Sequence, residues 1–190
     1  MVEKIRGTVA KSGKIILAFA QGTGPEQVQE AGRLLAEALL AGGKVLACGN
    51  GGSAVAASHL VSELMVRFAR DRKALPAISL PDNPAAVTAA GNDLGFEHVF
   101  SRQIEALGRE GDVLVAISTS GASPNINAAV NAARAMGMRV IYLCGATPPG
   151  LSADAVVTVP SADTPRIQEV HEIVIHILAE LVEDAFSTSS

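Results

Sequence analysis

His59 and Glu63 stand four residues apart in a stretch free of glycine and proline, which puts both side chains on one face of a helix. Near the end of the chain Gln168, Glu172 and His176 repeat that spacing, with His171 beside them. Imidazole, carboxylate and amide groups gathered from two helices can bind zinc or run acid–base chemistry. An isolated His–Glu pair is more often a surface contact. Here, however, His59 sits among Ala57, Ser58, Leu60 and Val61, and His176 among Val174, Ile175, Ile177 and Leu178. A titratable group in such apolar company is a functional candidate. His98, after Phe96-Glu97, has no clear partner and reads as structural or exposed.

Two small-residue turns could hold a ligand. Gly49-Asn50-Gly51-Gly52-Ser53 lacks the lysine of a P-loop and is not G-x-G-x-x-G. Its glycines let backbone approach a ligand, and the helix start behind it offers free N–H groups to an anion. The second turn, Ser118-Thr119-Ser120-Gly121-Ala122-Ser123, adds hydroxyls at another helix start. Hydroxyls with N–H groups suit a phosphate monoester, whereas a triphosphate would want a lysine and a magnesium ligand. Tight turns and N-caps explain either turn alone. Their repetition at equivalent places favours a binding role.

The elements that must position these groups follow from the apolar pattern. Residues 2–21 are weakly amphipathic. Pro25 opens a helix running to about Leu40, where Gly42-Gly43 stops it. Short apolar runs at 44–48, 76–80, 113–117, 139–144 and 155–159 read as strands. Helices are expected over 54–70, 83–90, 97–107, from Pro124 to about Met136, and from about Thr164 to Phe186, with 187–190 a frayed tail. Strand, turn and helix thus occur twice, at 44–70 and 113–136. The alternation predicts an α/β fold with a central parallel sheet covered on both faces, joined by right-handed crossovers, with both turns at its carboxyl edge.

Composition bounds the rest. The 190 residues are 48% hydrophobic and 18% charged, which excludes a disordered chain. Net charge is −4 and aromatics are 3% with no Trp, a poor match to a nucleic-acid surface. No apolar run approaches the ~18 residues of a membrane span, and no export leader opens the chain. Cys48 and Cys144 cannot make a disulfide framework and read as small buried residues in a reducing cytosol.

The glycine turn, the His59/Glu63 pair, Gly91-Asn92-Asp93, the run 117–121 and Arg166-Ile167-Gln168-Glu169 with His171 and His176 form one pattern. By it, from about Gly42 to Val182, the chain resembles the sedoheptulose-7-phosphate (phosphoheptose) isomerases of the sugar isomerase (SIS) fold. The resemblance implies a single domain over 1–190: N-terminal helices at 1–41, then a flavodoxin-like three-layer αβα sandwich and C-terminal helix at 42–186. It implies isomerisation of sedoheptulose 7-phosphate to D-glycero-D-manno-heptose 7-phosphate in nucleotide-activated heptose biosynthesis, for lipopolysaccharide or surface polysaccharide. It further implies a cytoplasmic homotetramer with active sites at subunit interfaces, without nucleic-acid or membrane partners. The zinc ligands, one Zn²⁺ per subunit, would be His59, Glu63, Gln168 and His176. Substrate contacts would be Asn50, Gly51, Gly52, Ser53, Glu63, Asn92, Asp93, Ser118, Thr119, Ser120, Ser123 and Gln168, and the acid–base pair Glu63 and His176. Gln168 and His176 are eight residues apart, roughly 12 Å along a straight helix, with Glu172 between them. The competing expectation is a non-catalytic SIS protein that binds a sugar phosphate or a replication-initiation partner.

Overall fold

The computed structural model describes residues 1–187, and the expected frayed end at 188–190 lies outside them. Five strands, β1 (Val45–Gly49), β2 (Ala77–Ser79), β3 (Val113–Ser118), β4 (Arg139–Cys144) and β5 (Ala155–Thr158), form a parallel sheet in the order β2-β1-β3-β4-β5. Side chains alternate across each strand. Val45, Ala47, Val113, Val115, Ile117, Ile141 and Leu143 enter one core, and Leu46, Cys48, Leu114, Ala116, Val140, Tyr142 and Cys144 enter the other. The first core is closed by α2 (Gly24–Leu40), α3 (Gly52–Met65) and α7 (Thr164–Ser187), with α1 (Val2–Gln21) packed outside. The second is closed by α4 (Pro84–Asp93), α5 (Ser101–Leu107) and α6 (Pro124–Ala135). This is the expected three-layer αβα sandwich, and among the described residues no helix is long and apolar enough to cross a membrane.

The order places a topological switch between β1 and β3, where successive connections leave in opposite directions. Ligands bind outside the strand ends at such a point. Both turns lie there, because β1 and β3 are neighbours and end level, with Gly49 beside Ile117. Leu60 and Leu64 are fully buried and seat α3 on the sheet. Truncating either to Ala would cost about 2–5 kcal/mol.

Three helix boundaries differ from the sequence reading. The helix expected over 54–70 starts at Gly52 and ends at Met65, because the backbone N–H groups of Phe68, Ala69 and Arg70 bond to the Glu183 carboxylate instead of continuing the helical ladder. The helix expected over 83–90 is capped by the Asn83 side chain at Ala86 N–H and runs through Gly91 to Asp93. The helix expected over 97–107 splits into a 3-10 turn, Phe96–His98, and α5. Gly95 at φ +99° sets the entry to the first piece. Both cysteines are free and buried, as expected, and burial raises the thiols to about 12 for Cys48 and about 11 for Cys144.

Candidate active site

The first turn hands β1 to α3 within three residues. Gly51 adopts φ +55° and ψ −122°, a conformation that disfavours any side chain. The Ser53 N–H donates to Asn50 O at 3.0 Å, closing the turn. A Cβ on Gly52 would lie 2.4 Å from the Gln168 Nε2 atom, so Gln168 of α7 rests directly on this backbone. The second turn hands β3 to α6. The Ser118 hydroxyl lies 3.0 Å from that of Ser123 and 3.5 Å from that of Ser120, while Ser120 Oγ accepts the Ala122 N–H. Gly121, at φ +68°, passes so close to the 146–150 segment that a Cβ would meet Thr147 O at 2.7 Å. Three hydroxyls therefore converge at the start of α6.

The two turns are joined. Asn50 Nδ2 donates to Asn125 Oδ1 and Asn125 Nδ2 donates to Asn50 Oδ1, both at 2.8 Å. The sequence reading named Asn50 and missed Asn125. Its position just inside the helix opened by Pro124, on a buried face, is the signal that could have found it.

Beyond the first turn, α3 and α7 bring their titratable groups together. His59 Nε2 lies 3.1 Å from Glu63 Oε1 and 3.4 Å from His176 Nε2, and the two imidazoles meet edge-on at 4.9 Å. His59 Nδ1 lies 2.8 Å from Glu172 Oε2. Glu172 thus stands behind His59 as an orienting carboxylate, the outer-shell partner typical of a ligating histidine. A proton placed on Nδ1 and shared with Glu172 leaves the His59 Nε2 lone pair facing the Glu63 carboxylate, two groups that would both act as donors to a cation.

Hydrogen-bond contacts link three of the four residues expected around zinc. Gln168 touches Gly52 and forms no hydrogen bond with His59, Glu63 or His176. Among the described residues no group of three or more His, Cys, Asp or Glu is arranged to hold an ion. The donor chemistry of His59, Glu63 and His176 nevertheless fits zinc. Metal bonds of about 2.0–2.1 Å in a tetrahedron set donor atoms roughly 3.3 Å apart, close to the spacings seen at His59 Nε2.

Asn92 and Asp93 end α4. Both are exposed, with Asn92 Nδ2 donating to Asp93 Oδ1 at 2.6 Å, and no hydrogen bond joins them to either turn. Asp93 lines instead a cleft of about 1060 Å³ between α4 and α5, where His98 also lies, exposed as expected. His171 is buried, and it is not part of the His59 cluster. Its Nε2 donates to Cys144 O at 3.3 Å, and burial depresses the imidazole to about 4, so it is neutral.

The SIS domain family profile matches residues 10–145. A phosphoheptose isomerase of Geotalea daltonii is 46% identical over 185 residues, covering 96% of each chain. One of Rhodospirillum rubrum is 50% identical over 160 residues, covering 83% of this chain and 85% of the relative. The solved phosphoheptose isomerase of Francisella tularensis superposes with a TM-score of 0.92 at 37% identity, covering 96% of this chain and 98% of the other.

Proposed function

We propose the following activity from the premise that this chain belongs to the phosphoheptose isomerases of the SIS domain family. It is an aldose–ketose isomerase that converts D-sedoheptulose 7-phosphate to D-glycero-D-manno-heptose 7-phosphate in heptose biosynthesis. A non-catalytic SIS role is not favoured, since the close relatives are isomerases by name. The observation that carries the reading is the meeting of Glu63, His59 and His176 along the helix that the glycine turn opens, with that turn bonded through Asn50 and Asn125 to a triple-serine turn.

The isomerisation moves a proton between adjacent carbons through an enediol. Glu63 takes the carbon-bound proton and returns it to the neighbouring carbon, and His176 moves protons at the two oxygens. Ser118, Ser120 and Ser123, with Thr119, hold the phosphate, and that remote binding fixes the reacting end. Asn50, Gly51, Gly52, Ser53 and Gln168 supply the floor between the two sites. Asn92 and Asp93 enter as substrate contacts on the family match alone. Zinc, one ion per subunit, would be held by His59, Glu63 and His176, with Gln168 as the family's fourth ligand. Bound there, it supplies Lewis-acid stabilisation of developing charge on the substrate oxygens. Elemental analysis before and after prolonged chelation checks this: metal in the purified protein that chelation removes supports it, and active protein that never contains or responds to zinc contradicts it.

The assembly proposed is a homotetramer in the cytoplasm with active sites at subunit contacts. Its support is the apolar surface of the N-terminal helix, where Val2, Ile5, Val9 and Leu17 are exposed, beside a groove of about 410 Å³ lined by Ile16, Phe19, Val28, Ile173 and Leu181. Light scattering should give about four times 19.4 kDa, and an active monomer would contradict it. The activity itself is tested by incubating the purified protein with sedoheptulose 7-phosphate and following the aldose product by NMR. Absence of that product, from folded protein supplied with zinc, would overturn the assignment.

A further inference from the structure

Two buried charges lie just past the end of α3 and outside the chemistry described so far. Glu183, in the last turns of α7, is 2% exposed. Its Oε1 accepts the Phe68 N–H at 2.8 Å, and its Oε2 accepts the Ala69 and Arg70 N–H groups at 3.1 Å each. Three consecutive N–H groups wrapped on one carboxylate form an anion nest that the protein fills with its own side chain. The Arg72 Nε lies 3.6 Å from the same carboxylate. Arg72 also donates to the carbonyls of Glu63 and Leu64, the open C-terminal carbonyls of α3.

The consequence reaches both acid–base groups. The nest turns the chain so that the Phe68 ring packs on His176, with centroids 5.5 Å apart and planes inclined by 38°. Arg72 pins the backbone of Glu63 itself. We infer that Glu183 and Arg72 form a positioning pair, with Phe68 as the wall that fixes His176 and Arg72 as the anchor that fixes Glu63. Both act through backbone: Glu183 accepts from main-chain N–H groups and Arg72 donates to main-chain carbonyls. The carboxylate also explains why α3 ends where it does: without it, three N–H groups would have no partner and the Phe68 ring no fixed place. This inference rests on the isomerase reading for its kinetic readout, and its structural readout is independent of activity.

The test is a double-mutant cycle between Glu183→Gln and Phe68→Ala, with kcat and KM for sedoheptulose 7-phosphate measured on protein shown to be folded. Glu183→Gln is expected to lower kcat at least about tenfold, the scale of a small misplacement of reacting groups. KM should stay within about twofold, because the serine turn stands on another helix. Phe68→Ala should lower kcat similarly, and the double variant should be no worse than the poorer single one, since coupled residues do not act additively. A general loss of stability would move neither ratio in this way. Effects that multiply, a KM that rises as kcat falls, or an unchanged kcat in Glu183→Gln would overturn the inference. Should Glu183→Gln fail to fold, Phe68→Leu tests the wall alone, with the same fall in kcat expected. Histidine-labelled protein gives the activity-free readout. The His59 ring also lies against His176, so the readout is the part of the ring-current displacement of the His176 Cε1 proton that Phe68→Leu removes. Glu183→Gln should remove that same part, and a His176 shift in Glu183→Gln equal to the parent's would overturn the inference even if no isomerase activity were found.

Discussion

The chain uses the same local construction twice and surrounds each copy with different side chains. In both β1–turn–α3 and β3–turn–α6 a buried strand ends in small residues and a helix begins at once. The first helix packs on the face that α7 also occupies, so its exposed edge meets His176 and Glu172. The second packs on the opposite face with α4 and α5. Its contribution is made at its start, where Ser118, Ser120 and Ser123 converge. What a strand–turn–helix unit can do is therefore decided by the helix it packs against as much as by its own turn. Asn50 and Asn125 bond the two units together, holding the end proposed for proton transfer and the end proposed for the phosphate at a fixed separation.

The largest expected effect separates the two units outright. Glu63→Gln keeps the size of the side chain but cannot accept a carbon-bound proton. Its kcat should fall at least about a hundredfold, with KM little changed. A fall in KM-side binding of similar size would mean that the first unit also holds the phosphate.

Stability beside the second unit depends on pH. His171 reaches from α7 to Cys144 O, at the end of β4 beside the second turn. Burial depresses its folded-state value from 6.5 to about 4. The unfolded chain therefore binds the proton more readily. The contribution is complete above about pH 6.5 and is lost as pH falls toward 4, with a total on the order of 3 kcal/mol. Denaturant titrations at pH 7 and pH 4.5 should show this decline, and His171→Gln should flatten it. A parent protein equally stable at both values would contradict the buried neutral state.

Ser120→Ala probes the second unit and should do the reverse of the Glu63 change. Losing a hydroxyl from a charged ligand costs about 1.5–3 kcal/mol, read mainly in KM. An unchanged KM would move the phosphate elsewhere. The smallest effect is expected from Gly52→Ala. The new methyl would displace the Gln168 amide, the flexible end of its side chain, so a rise of a few-fold in KM is expected without loss of fold. A crystal structure of that variant with Gln168 unmoved would remove Gln168 from the floor of the site.

Much of this division is legible in the residues. The strand at Arg139–Cys144 falls where its apolar run places it, and the four-residue spacing does set His59 and Glu63 side by side on α3. The features that escape are those made by residues distant in sequence. Nothing near Phe68 tells that Glu183, 115 positions away, will end its helix. Nothing near Asn50 tells that Asn125, 75 positions away, will match its amide. Gln168 carries the spacing of a ligand, yet it rests on Gly52 because the absent side chain there leaves room for an amide. Local periodicity sets which face a residue takes. Which partner waits on that face is a tertiary fact.

The division of labour is tested most directly by running the reaction in deuterated water and following, by NMR, label entering the substrate at the carbons that exchange the proton. With Ser120→Ala at saturating sedoheptulose 7-phosphate, label should enter at close to the parent rate, because the base is intact once the substrate is held. With Glu63→Gln at the same saturation, incorporation should fall at least about a hundredfold while the substrate still binds. Label entering the Glu63→Gln reaction at near the parent rate would contradict the account and place the base on another residue, with His176 and Glu172 the next to be replaced.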